Sequence, residues 1–283
     1  MSSHPSSAVQ QAREALAARL RDIRLDSGIT KRELAARCGW HEAKSSRIEN
    51  ARTPPSDADI RAWCAACGAD DRAPDLTAAN RQSTEMHVEW RRLQRSGLRQ
   101  LQESGVTLYE RTRQFRVYCS DVVPGFLQTP GYASALLSSI ASFRGTPDDV
   151  SRAVEARMRR NSVVREGDHR FALVIEESVL RHRIGDADTM AGQLGHLLSS
   201  MTLPSVALGV IPFAVRRTVW PMATFTVFDD ERVHADSLDA ATTLTQPSQI
   251  ALYVKAFDGL AQNAVYGAAA RALITRALTT LDA

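Results

Sequence analysis

The chain has 283 residues, 44% of them hydrophobic and 24% charged, with a formal net charge of +3. That length accommodates two domains with separate cores, and no apolar run approaches the roughly 18 residues of a membrane-spanning helix. Four cysteines are too few for a disulfide framework and Met1 to Ser7 is polar, so the expectation is a reduced, cytoplasmic protein without a signal peptide. Between Met1 and Ser56, ten Lys/Arg face six Asp/Glu, an excess of four. The positive surplus therefore sits in the first fifth of the chain, where a phosphate-binding surface needs it.

In chain order, Ala12 to Asp26 predicts a helix: Ala12, Ala15, Leu16, Leu20 and Ile23 recur at helical spacing, with arginines on the other face. Ser27-Gly28 ends it. Thr30 with Glu33 three residues later is a capping box, in which each side chain satisfies a free backbone N–H. It opens a short helix, Lys31 to Cys38, that closes at Gly39. A third helix starts at His41 or Glu42 and runs to Asn50, and Thr53-Pro54-Pro55 cannot continue it. Ser56 opens a fourth helix, with Asp57 and Asp59 complementing the dipole of its first turn. Asp70 to Thr77 reads as a linker. Ala78 to Glu103 reads as a long charged helix that bridges two domains or pairs with its copy in a dimer.

Beyond Gly105, helices are expected at Val106–Val117, Gly131–Ser142, Pro147–Val164, Met190–Met201, Pro247–Asn263 and Tyr266–Thr280. Strands are expected at Arg170–Glu176, Ser205–Pro212 and Ala223–Phe228, with Arg232–Asp236 as a candidate fourth. The fold class is thus a mainly α, five-helix N-terminal domain (1–75), a linker helix (76–105), and an α+β C-terminal domain (106–283). The sheet of that domain is expected to be small, with three or four strands.

The segment Thr30 to Gly39 followed by Trp40 to Asn50 has helix-turn-helix spacing. Leu34 and the small Ala35 face the core, Gly39 permits a positive φ in the turn, and Ile48 buries against the first helices. Ser46-Arg47-Ile48-Glu49-Asn50-Ala51 resembles the Ser-Arg-Ile-Glu-x-Gly tail of XRE, or Cro/C1-type, helix-turn-helix proteins, with Ala51 in place of the glycine. His41 also replaces the customary Ser/Thr cap. The resemblance covers about 55 residues. It implies binding of double-stranded DNA, with Glu42, Ala43, Lys44, Ser46 and Arg47 presented to base edges in the major groove. Lys31, Asn50 and Arg52 are the phosphate candidates, setting register rather than sequence. One such module covers only a half-site, so a homodimer is expected.

A second resemblance rests on Leu108–Tyr118, Val123–Ala133, Glu155–Arg160, Ile175–Arg181, Gln193–Leu198 and Val210–Pro212, in that order. These blocks look like DUF5753, a C-terminal domain that follows an XRE domain in actinobacterial, Scr1-family antitoxin-like regulators. The resemblance implies transcriptional regulation with a small DUF397-type protein as partner. An alternative is that the chain mainly sequesters that partner and autoregulates its own operon.

Little points to catalysis, and neither enzyme activity, cofactor nor metal is expected. Glu176 and Glu177 adjoin on a strand, where neighbours face opposite ways, and one of them is expected to pair with Arg157 or Arg181. Cys64-Ala-Ala-Cys67 and Cys38-Gly-Trp-His41 have zinc-ligand spacing, but Cys64 and Cys67 share an apolar face with Ile60 and Trp63 and read as core. The loop Val123–Tyr132 holds two prolines and two glycines. Its Pro124, Phe126, Leu127 and Tyr132 are candidates for a partner or ligand surface, and a rigid plug of the domain core is the alternative.

Overall fold

The computed structural model describes residues 5–81, 98–145, 149–236 and 241–281, which divide into two compact units. The first unit comprises residues up to Arg95 together with Leu244–Gln249. The second comprises Ser96–Thr243 and Ile250–Ala283.

The first unit is helical: α1 (Pro5–Asp26), α2 (Lys31–Cys38), α3 (Glu42–Glu49) and α4 (Asp57–Cys67). Each boundary has a local cause. Thr30 Oγ1 accepts from Glu33 N (3.2 Å) and Thr30 N donates to Glu33 Oε2 (2.7 Å), so the expected capping box forms. Gly39 ends α2 at φ 68°, a left-handed conformation that glycine adopts without strain. Ser56 and Asp59 make a second capping box at α4. The core joins Leu16, Leu20 and Ile23 of α1 to Leu34, Ile48, Ile60, Trp63 and Cys64, and Trp63 Nε1 donates to Leu20 O at 3.0 Å. The predicted linker at 70–77 is a correction: Asp70–Arg72 is a 3-10 turn, residues 73–81 are helical, and Ala73 and Leu76 bury in this core. Most of the long helix expected at 78–103 falls outside the described residues.

The second unit begins with α5 (Leu98–Ser104) and α6 (Val106–Arg111), followed by β1 (Gln114–Cys119). Then come α7 (Pro130–Arg144), α8 (Val150–Arg160), β2 (Arg170–Glu176), α9 (Ala187–Ser200) and β3 (Val206–Ile211). The chain continues through β4 (Phe225–Phe228), β5 (Arg232–Asp236), β6 (Ala241–Leu244), α10 (Pro247–Gln262) and α11 (Gly267–Thr279). Among the described residues the sheet has six strands in the order β3-β2-β1-β4-β5-β6, not three or four. β1 runs parallel to β2, and β2 to β3, while β1–β4 and β4–β5 are antiparallel. The expected helix over Val106–Val117 is half right. It stops at Arg111, Thr112 Oγ1 bonds Leu108 O, and the remainder is the central strand.

An aromatic cluster fills one face of this sheet. Phe115 stacks on Phe171 at 4.5 Å and meets Phe126 and Phe228 edge-on. Offset and edge contacts of this kind add about 0.5–1.5 kcal/mol per pair beyond burial.

Candidate nucleic-acid interface

α3 separates its residues cleanly by face. Ser45, Ile48 and Glu49 are buried, whereas Glu42, Ala43, Arg47 and Asn50 are exposed and Ser46 is half-exposed. Positions 42, 43, 46, 47 and 50 share one side of a helix with 3.6 residues per turn. His41 is extended (φ −73°, ψ 141°) and makes no side-chain cap bond, as its substitution for Ser/Thr implies. Ser45 Oγ turns back to Glu42 O at 2.9 Å.

Glu49 sets the position of α3. Its carboxylate is buried and takes Arg24 Nε of α1 at 2.5 Å and Lys31 Nζ of α2 at 3.1 Å. Arg21 adds a bond to Glu49 O at 2.7 Å, and Arg24 a second bond to Ile29 O at 2.9 Å. Three helices thus meet on one carboxylate. A buried charge is tolerable only with such partners.

These contacts divide the expected site residues. Lys31 stands beside Glu49 rather than free for phosphate, although its side chain is 40% exposed. Lys44 lies against Asp59 Oδ1 (2.6 Å) and 4.4 Å over the Trp40 ring, so its ammonium is already engaged. Burial opposes ionisation of Asp59, but the bonds from Lys44 and Ser56 outweigh it and hold that carboxyl below its ordinary range. Asn50 Nδ2 bonds Ser46 O at 2.8 Å. Arg47 and Arg52 are exposed, and among the described residues their guanidinium groups have no partner. Arg32, exposed in the first turn of α2, is equally uncommitted and was absent from the sequence-based set. Its signal was its place directly after Lys31 at a helix start.

A helix-turn-helix domain model matches residues 15–76, the stretch that contains this arrangement. The model of DUF5753, a domain of unknown function, matches residues 102–276. The chain belongs to the DUF5753 family. No curated protein and no solved structure gives a match.

Within the DUF5753 domain, the loop proposed as a partner surface is buried. Pro124, Phe126, Leu127 and Tyr132 lie inside the core, and Gly125–Leu127 forms a 3-10 turn. Side-chain amides satisfy its backbone: Gln128 Nε2 bonds Val123 O at 2.7 Å, Gln193 bridges Thr129 N and Leu127 O, and Asn161 Nδ2 reaches Gly125 O. Buried backbone groups need such partners, and with them these four side chains pack into the core rather than presenting a surface to a macromolecule.

The two adjacent glutamates diverge. Glu176 is buried, accepts from Tyr118 OH at 2.7 Å, and forms a forked pair with Arg217 (2.9 and 2.5 Å). Burial and the Glu176 bond push the Tyr118 phenol well above its ordinary range. Glu177 instead pairs with Arg181 at 3.2 Å and accepts from Phe213 N at 3.0 Å. Arg181 is therefore the partner anticipated for one of them, whereas Arg157 bonds Gln102 and Gln128. The cysteines of the zinc-like spacing are part of the helical core: Cys64 is fully buried, and Cys38 Sγ lies 3.5 Å from Ala62 O. Among the described residues, no helix is long and apolar enough to cross a membrane.

Proposed function

We propose that the chain is a transcriptional regulator that binds specific double-stranded DNA through α3, while its DUF5753 domain takes up a small partner protein or ligand that alters operator affinity. The observation that carries this is the outward face of α3: Arg47 stands free there beside Glu42, Ala43 and Ser46, on a helix fixed from behind by Glu49. Arg47 suits guanine O6 and N7, and Arg32 and Arg52 suit the flanking phosphates. Lys44 takes a secondary place, because reaching a base requires it to leave Asp59 and Trp40.

A homodimer working in the cytoplasm completes the reading, since two modules about one helical turn apart reach useful affinity. Binding rather than catalysis fits the DUF5753 domain, where Glu176 and Glu177 each serve their own arginine. Selection of bound sequences from a random DNA pool by the purified protein tests the core of the proposal. The expected outcome is an enriched two-part motif that Arg47→Ala relaxes at one base position. A pool with no enrichment above an unselected control removes the specific-regulator reading.

A further inference from the structure

A cavity of about 500 Å³ opens in the DUF5753 domain among α5, α6, α8 and the turn ahead of β2. Its volume lies within the range of small-molecule sites. Val106, Ala156 and Val163 give it an apolar wall, and Arg160 and His169 are among its polar groups.

Arg160, the last residue of α8, differs from its neighbours. Arg157 bonds two glutamines, and Arg159 lies near Glu103 and Glu155. Arg160 instead places its guanidinium carbon 4.4 Å over the Tyr109 ring, and its Nε is buried without an acceptor. Among the described residues it has no ion-pair or hydrogen-bond partner. None of the glutamates that line the cavity pairs with it among the described residues. The Nε of Arg232 and Nε2 of His234 are also buried and unpartnered. Burial, then Arg232, then Arg160 push His234 down to about 4, so this imidazole is neutral at pH 7 beside two arginines. A guanidinium held over an aromatic ring, without an ion-pair partner in a cavity, is prepared for an oxyanion.

His169 adds a second requirement. Its Nδ1 lies 2.7 Å from Thr112 O, which makes Nδ1 the donor, and the ring lines the cavity; in its neutral form Nε2 is the acceptor. The lining also limits charge, because Glu103, Glu110 and Glu166 line the same cavity and repel a polyanion.

We infer that this cavity binds a small organic oxyanion, a carboxylate or a phosphate monoester bearing a hydroxyl or amine, with its oxyanion on Arg160. The inference names a site and ligand class for the sensing role proposed above, and rests on that reading only for its regulatory meaning.

The test observes the arginine Nε–H signals of the full-length chain by NMR, the Arg160 signal being assigned by its loss in Arg160→Lys. The probes are 4-hydroxybenzoate, phenyl phosphate and inorganic triphosphate. A saturable shift of the Arg160 signal with either organic anion, at a Kd of about 1 mM or tighter, and a weaker response to triphosphate is expected. Which of the two acts distinguishes carboxylate from phosphate. Arg160→Lys keeps the charge but loses the fork and should weaken binding about tenfold or more, as measured by calorimetry. The absence of a saturable shift in the wild-type protein overturns the site whether or not the variant folds, as does undiminished binding by a folded Arg160→Gln. Operator affinity measured with the same probe is a separate readout. A saturable Arg160 shift with no change in DNA binding supports the cavity and removes only the sensing role.

Discussion

Each unit of the chain contains a buried carboxylate held by arginine, and the two are put to different use. Glu49 in the helical unit is gripped by Arg24 and Lys31 from two other helices, so one charge fixes the angle at which α3 faces outward. Glu176 in the sheet unit ends β2 and ties Tyr118 of β1 to Arg217 on the segment between β3 and β4. The first orients a surface and leaves its outer residues free. The second closes an interior and uses up its own donors. The same chemistry therefore sets an exposed helix face in one unit and closes an interior in the other.

The largest expected effect comes from breaking the first of these. Glu49→Ala leaves Arg24, only 9% exposed, without its counter-charge, and loss of about 3–5 kcal/mol is expected in urea denaturation of the helical unit. The paired replacement Arg24→Met with Glu49→Leu should restore much of that stability, because removing both charges removes the desolvation cost. A double variant as unstable as Glu49→Ala would show that Glu49 acts by more than charge pairing. Glu176→Gln is expected to cost less, about 2 kcal/mol. Arg217 is 24% exposed and can turn to water. If Glu176→Gln proves the more damaging, the contrast between an orienting charge and a clasp fails.

Arg47→Ala sharpens the comparison from the DNA side. It should weaken specific binding by about 1–3 kcal/mol and relax one base position, with folding stability unchanged. Arg52→Ala should instead weaken all sequences alike and reduce the salt slope by about 1. Electrophoretic or fluorescence titration across several salt concentrations separates the two. An Arg47 variant that loses affinity uniformly would move this residue to the phosphate set.

The helix-turn-helix was legible because its signals are local. Thr30 with Glu33, Gly39, and the Leu34–Ala35 pair act within ten residues of one another, and each formed as read. The pairs Lys44–Asp59 and Lys31–Glu49 were not legible, because spacing along the chain does not reveal which distant carboxylate a flexible lysine meets. The central strand β1 was misread as helix for a different reason. Val117, Tyr118 and Cys119 are all buried, so a strand covered on both faces lacks the alternation that marks an exposed one. Leu108 and Phe115 meanwhile continued an apparent helical stripe. The segment 70–77 looked like a linker from its aspartates and Pro74, yet Ala73 and Leu76, three apart on one helical face, are core. The Val123–Tyr132 loop was read either as a partner surface or as a plug of the core, and its key side chains are buried. Its buried state depended on Gln193 and Asn161, which lie far along the chain.

Lys44→Ala tests whether engagement by Asp59 removes a residue from the reading surface. Its effect on specific DNA affinity should be smaller than that of Arg47→Ala, and stability should fall by about 0.5–1 kcal/mol. The pH dependence follows from Asp59, whose carboxyl is held below its unfolded value. Its contribution is fully present above about pH 4, the unfolded value, and is lost as pH falls through the lowered folded value. In Lys44→Ala this acid-side loss should shrink. An unchanged acid limb would mean that Ser56, not Lys44, holds the Asp59 carboxylate.

The smallest expected effect lies where the recognition helix hands over to Arg52. Ala51 adopts φ 52°, a left-handed conformation, with its N–H on Ile48 O at 3.0 Å. An alanine there costs roughly 1–2 kcal/mol relative to right-handed backbone. Glycine relieves that strain but adds about 0.4–1 kcal/mol of unfolded-state entropy. Ala51→Gly should therefore stabilise the helical unit by about 0.5–1 kcal/mol, read as a higher urea midpoint at constant slope. Base preference should not change, because Arg47 and the outward face of α3 are fixed by Glu49 rather than by the turn. If Ala51→Gly alters the preferred sequence, the turn rather than the buried carboxylate sets how α3 meets DNA.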